Sequence, residues 1–124
     1  MSTSDRFAKL ATIVEAALER KADDVVGLDV REISSFADTF IIATGTSNRH
    51  VRSVTDSIEA ALKAHGDPPL GVEGTDEGRW VLVDCSDTIV HIFQSEIREH
   101  YDLERLWSDA PVLELEVAAR SVGT

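Results

Sequence analysis

The sequence predicts an α/β (α+β) domain: a mixed sheet of about five strands with helices packed on it, in the order α-β-β-α-β-β-β-α. Three observations carry that reading. Residues 79–84 and 88–94 are two runs rich in Val, Ile, Trp and Phe, with Ser-Asp between them, which is a hairpin signal. Residues 39–44 (TFIIAT) form an unbroken apolar run, as expected of a central strand buried on both faces. Apolar residues at helical spacing precede and follow that run. Crossover and segregated elements together give a sheet with packed helices.

The elements follow in order. Residues 4–21 read as a helix, with Ser4 as N-cap. Phe7, Leu10, Ala11, Val14, Ala17 and Leu18 make one apolar face, and Arg20 and Lys21 suit the dipole of the last turn. Residues 24–31 read as a strand, in which Val26, Leu28 and Val30 alternate with Gly27 and Asp29. After the strand 39–44, Gly45 permits a tight exit, and Ser47 or Asn48 caps a helix. That helix runs to about His65, with Val51, Val54, Ile58, Ala61, Leu62 and His65 on one face. Gly66 and then Pro68-Pro69 stop it. Residues 70–74 are extended and lead into the hairpin.

If Ser86-Asp87 is a two-residue loop, Trp80 faces Phe93, Leu82 faces His91 and Asp84 faces Ile89. The opposite face then carries Val81, Val83, Val90 and Ile92. A one-residue slip would scramble this sorting. The aliphatic face reads as core. The other, mixing Trp, Phe and Leu with His and Asp, reads as a surface meant to be covered. An acidic helix is expected from about Ser95, with Tyr101 and Trp107 among its packing residues. Residues 112–120 read as a frayed helix or an extra strand. The organisation is one domain over 1–110 and a tail over 111–124.

The 124 residues suit a single domain. With a net charge of −11, the chain has too few cations to make a strong basic patch for nucleic acid. Such a chain repels phosphate and anionic membranes and favours a basic partner, although acidity also serves solubility alone. The single cysteine, Cys85, forms no intramolecular disulfide, and a reducing, cytoplasmic setting is expected. The start, MSTSDRFAKL, does not read as a secretory signal, and no apolar run approaches the roughly 20 residues of a membrane span.

Catalytic signals are weak. Thr44-Gly45-Thr46-Ser47 at a strand-to-helix turn offers backbone amides to a phosphate. Nucleotidyl transfer also needs paired carboxylates for metal ions, yet Asp84 stands alone, with Leu82 two places back. Asp29 and Asp38 lack motif spacing, and no Gly-x-x-x-x-Gly-Lys loop is present. His50, His65, His91 and His100 show no zinc spacing. His65 fits a helix C-terminus, and His91 fits either a hydrogen-bonded core position or the contact face. Cys85, beside Asp84 and Asp87, is a poor nucleophile. No metal or cofactor is expected.

Three stretches, FADTFIIATGTSNRHVRSVTDSI, GTDEGRWVLVDCSDTIVHIF and REHYDLERLW, together resemble the ribosomal silencing factor, or Iojap-like, family over about residues 21–110. One departure is the hairpin turn. It often reads Asp-Tyr-Gly-Asp in that family and here reads Asp84-Cys85-Ser86-Asp87, which raises the cost of a positive φ. The resemblance implies a nucleotidyltransferase-like fold without the catalytic carboxylates. It implies a non-enzymatic protein that binds the large ribosomal subunit through ribosomal protein L fourteen and sterically blocks joining of the small subunit. A homodimer is implied for the free protein.

Charge agrees with a basic partner. Residues 67–109 hold eleven carboxylates against three arginines. The expected contact set is Glu73, Trp80, Leu82, Asp84, His91, Phe93, Glu96 and Tyr101, with Trp80 as anchor. The competing reading is a metal-dependent nucleotidyltransferase acting through Ser47 and Asp84. A third is a generic dimeric interaction module.

Overall fold

The computed structural model describes residues 3–32, 34, 35, 37–97, 112 and 113. Among these, the elements are α1 (Thr3–Glu19), β1 (Asp23–Asp29), β2 (Thr39–Gly45), α2 (Asn48–Ala64), β3 (Gly71–Glu73), β4 (Trp80–Cys85), β5 (Thr88–Gln94) and β6 (Val112–Leu113). The strands form one mixed sheet in the order β3-β4-β5-β2-β1-β6. Only β2 and β5 pair in parallel; the other neighbours are antiparallel. The apolar run 39–44 is indeed central, and every residue of β2 is buried.

Both helices cover one face of the sheet. Leu10, Ile13, Val14 and Ala17 of α1 and Val51, Val54, Ile58 and Leu62 of α2 pack on Ile41, Ala43, Val81, Val83, Val90 and Ile92. Each large aliphatic side chain buried in this way contributes about 1.5–3 kcal/mol. The other face carries a second cluster: Leu28, Val30, Ala37, Phe40, Ile42, Ile89, Phe93 and Ile97.

The helix ends differ in detail from expectation. α1 already includes Thr3, so Ser4 lies within its first turn and is not its cap. It stops at Glu19, which leaves Arg20 and Lys21 beyond its last turn. Lys21 instead adopts φ +60, donating its N–H to Leu18 O, while Ala22 N–H reaches Ala17 O. This is the Schellman pattern, with a lysine where glycine is usual. For α2, Ser47 is the cap: its Oγ accepts the His50 N–H at 3.0 Å. Gly66, at φ +75, closes the other end.

Gly45 has no positive φ, so its role is space: a Cβ there would lie 2.8 Å from Val51 Cγ2. The hairpin has the expected register, with Trp80 opposite Phe93, Leu82 opposite His91 and Asp84 opposite Ile89. Its loop has positive φ (+74) at Ser86 alone, the requirement of a II′ and not a I′ turn. Beyond β5, residues 95–97 are helical, and Tyr101, His100 and Trp107 lie outside the described residues. Val112–Leu113 supplies a sixth strand, pairing with Gly27 and Leu28 of β1.

Candidate functional site

Strand alternation puts Trp80, Leu82 and Asp84 on the sheet face opposite the helices. Glu73 joins them, because β3 registers it against Leu82. Glu73 and Trp80 are exposed, Leu82 and Asp84 half-buried, and Trp80 keeps 42% of its surface accessible. An exposed Trp and a half-exposed Leu therefore form an apolar centre with carboxylates beside them. Asp84 Oδ1 also accepts the Ser86 N–H at 3.0 Å, which ties the carboxylate to the hairpin turn.

His91 and Phe93 lie alongside on β5 but are buried, at 5% and 0% exposure. The hairpin face is thus partly covered within the chain, by the second apolar cluster. Trp80 lies with its ring 4.8 Å from that of Phe93, centroid to centroid. His91 is parallel to Phe93 at 5.8 Å and edge-on to Phe40 at 4.9 Å. Trp80 Nε1–H donates to His91 Nδ1 at 3.3 Å. Burial pushes the His91 pKa down to about 4, so the ring is neutral near pH 7. Glu96 is exposed just after β5, whereas Tyr101 lies outside the described residues.

The segment leading into Trp80 is anchored by residues that motif reading missed. Arg52 of α2 donates to the carbonyls of Thr75 and Asp76. Gln94 Nε2 donates to Asn48 Oδ1 and, at 3.1 Å, to Gly78 O, while its N–H reaches Arg79 O at 2.9 Å. Gly74 and Gly78 both adopt positive φ, and Gly78 N–H closes on Gly74 O at 3.0 Å. The Gly-x-x-x-Gly spacing of 74 and 78 was the one available signal for this turn.

The competing nucleotidyltransferase pair is not brought together. Asp84 registers with Ile89 at one end of β5, while Ser47 follows Gly45, which registers with Gln94 at the other. Five strand residues separate these levels, roughly 17 Å at about 3.3 Å each. Ser47 Oγ is also engaged as the α2 cap. Among the described residues, no three His, Cys, Asp or Glu side chains group as metal ligands. His50 bridges backbone, accepting Thr46 N–H at Nδ1 (2.9 Å) and donating from Nε2 to Arg20 O (2.7 Å). His65 is the α2 C-cap and is exposed, so it does not share the buried face of Val51, Val54, Ile58 and Leu62. The Cys85 thiol is pushed up to about 11, first by burial and only then by Asp67, Asp84 and Asp87, against the opposing effect of Lys9.

A family model described as ribosomal silencing factor during starvation matches residues 3–123. The chain belongs to the ribosomal silencing factor family. That match runs past both ends of the 21–110 stretch in which the motifs lie. A ribosomal silencing factor of Halalkalibacterium halodurans is 38% identical over 107 residues, covering 86% of this chain and 92% of that one. A mouse relative, named mitochondrial assembly of ribosomal large subunit protein 1, is 31% identical over 99 residues, covering 77% of this chain and 43% of its own. A crystal structure of a Chromobacterium violaceum protein superposes with a TM-score of 0.79 at 35% identity, covering 87% of this chain and 88% of that chain. The hairpin of this chain has the expected register although serine stands at the positive-φ position of the turn.

Proposed function

We propose that this chain silences ribosomes by binding the large subunit through ribosomal protein L fourteen and occluding the surface where the small subunit docks. The observation that carries the reading is the exposed Trp80 on an acidic sheet face. A large, rigid side chain at the centre of a patch is the usual hot-spot anchor. Glu73 and Asp84, which flank Leu82 on the same face, and the charge of −8 over residues 67–109, suit a basic protein surface and give it orientation.

Burial divides the expected contact set by role. Glu73, Trp80, Leu82, Asp84 and Glu96 are accessible to a partner, whereas His91 and Phe93 support them from within. Occlusion needs no turnover and no cofactor. The same reading makes the chain a cytoplasmic protein that is a homodimer when free.

Trp80→Ala tests it. The variant is expected to fold, because Trp80 is exposed, and to co-sediment with purified large subunits about 30-fold more weakly, the scale of a hot-spot loss near 2 kcal/mol. Undiminished co-sedimentation rejects the site. In a subunit-joining assay, excess wild-type chain is expected to suppress association of the two subunits. Joining at the normal rate rejects occlusion itself.

A further inference from the structure

The aromatic side chains behind Trp80 have a specific arrangement. Trp80 has one polar atom, a donor. That donor meets Nδ1 of His91 at 3.3 Å, so Nδ1 carries the lone pair and the neutral ring carries its proton on Nε2. His91 does not move freely. Phe40 meets it edge-on, Phe93 lies parallel to it, and its backbone is held between Leu82 of β4 and Ile42 of β2. The Trp80 ring also rests against Phe93. An exposed Trp normally samples several rotamers. This one is held at two points, by a directional bond at its nitrogen and by ring contact.

We infer that His91 is a positioning residue: held by Phe40 and Phe93, it accepts the indole N–H and sets the angle at which Trp80 meets its partner. The inference rests on the proposed contact role of Trp80 and deepens it. Its physical basis is preorganisation, since a side chain fixed before association loses less entropy on binding. Being 5% exposed, His91 acts through Trp80 and not by touching the partner.

Two substitutions separate ring from acceptor. His91→Phe keeps an aromatic ring for Phe40 and Phe93 and removes the acceptor. His91→Asn loses the ring and places an amide oxygen near the former Nδ1. The first readout is the Trp80 indole N–H in 15N NMR, assigned by its disappearance in Trp80→Phe. In His91→Phe the signal is expected to shift and its hydrogen exchange to quicken about tenfold, the worth of one hydrogen bond; His91→Asn is expected to restore it.

The second readout is affinity for large subunits: about tenfold weaker in His91→Phe, with Trp80→Ala/His91→Phe no weaker than Trp80→Ala alone, since coupled residues are not additive. An indole signal unmoved in His91→Phe, or additive losses in the double variant, overturns the inference. The tautomer needs no variant: 15N shifts of the wild-type ring are expected to show Nδ1 unprotonated, and a protonated Nδ1 also overturns it. Should Trp80→Ala bind normally while the indole signal still moves in His91→Phe, the functional reading fails and the positioning stands.

Discussion

Lys21 and Gly66 occupy the same position at the ends of the two helices. Each follows the C-cap in the left-handed region, at φ +60 and +75, and each helix closes with a bond from the next residue, Ala22 N–H to Ala17 O and Asp67 N–H to Leu62 O. Glycine takes this conformation without a Cβ penalty, whereas lysine does not. Lys21→Gly is therefore expected to stabilise the fold by about 0.5–1 kcal/mol, and Gly66→Ala to destabilise it by about 1 kcal/mol. Urea midpoints at unchanged m-value measure both. A midpoint that falls in Lys21→Gly contradicts the account.

Lys9 gathers three elements. Its Nζ donates to Cys85 O at 2.6 Å and lies 3.3 Å from Asp67 and 3.6 Å from Asp87. Asp67 is 57% exposed, so that ion pair is worth little. The charged bond to the Cys85 carbonyl, made by a side chain only 17% exposed, is the larger effect. Lys9→Met keeps the apolar stem and is expected to cost about 1.5–3 kcal/mol. Asp67→Asn is expected to cost less than about 0.5 kcal/mol. Equal losses in the two variants would show that the ion pair, and not the carbonyl bond, dominates.

The hairpin was legible because its chemistry alternates with the pleat: Val81, Val83, Val90 and Ile92 on one side, Trp80, Leu82, His91 and Phe93 on the other. Only one register separates those sets, and that register is found. The burial of Phe93 was not legible, and for His91 the sequence left a core position and the contact face both open; the core position is the one found. Phe93 shares a buried cluster with Leu28, Val30, Ala37 and Phe40, which belong to β1, β2 and the intervening segment, and Phe40 meets His91 edge-on. A strand read alone does not show which distant residues lie over it. Lys21 was placed in the helix because nothing in a lysine side chain announces a left-handed backbone. Arg52 was missed because its partners are main-chain carbonyls, Thr75 and Asp76, which carry no sequence signature. The two-residue β6 is too short to leave a periodic trace.

His91 links stability to pH. Its pKa is lowered from 6.5 to about 4 by burial. The unfolded chain therefore binds a proton in a window where the folded chain does not, and stability falls as pH falls through that window. The contribution is intact above about pH 6.5 and lost progressively towards about pH 4, with a full span on the order of 3 kcal/mol. Carboxylates titrate nearby, so the measurement is the difference between wild type and His91→Phe. That difference is expected to narrow or reverse in favour of the variant on acidification. A difference constant from pH 7 to pH 4 would place His91 in a wetter site.

Gly74 leaves no room for a side chain. Its φ is +88, and a Cβ there would lie 2.2 Å from the carbonyl oxygen of Trp80. Backbone cannot yield as a flexible side chain does. Gly74→Ala is expected to destabilise by about 2–4 kcal/mol, combining left-handed strain with a steric clash. By contrast, Gly71→Ala, where a Cβ meets nothing within 4 Å, is expected to be nearly neutral. Thermal unfolding of the pair checks both, and a Gly74→Ala protein as stable as Gly71→Ala would show that the segment before β4 gives way.

Salt separates the two forces proposed for the contact. The acidic stretch of the chain, −8 over residues 67–109, attracts a basic surface across solvent, and that attraction is screened beyond a Debye length of about 8–10 Å near physiological salt. The apolar contact of Trp80 and Leu82 is not screened in the same way. Raising ionic strength from about 0.05 to about 0.5 M is expected to weaken binding to large subunits on the order of tenfold, mainly through a slower association rate. Trp80→Ala is expected to retain the same salt slope from a weaker starting affinity, because the anchor and the steering charges act independently. A flat response in wild type would leave Trp80 as the source of affinity and remove the electrostatic half of the proposal.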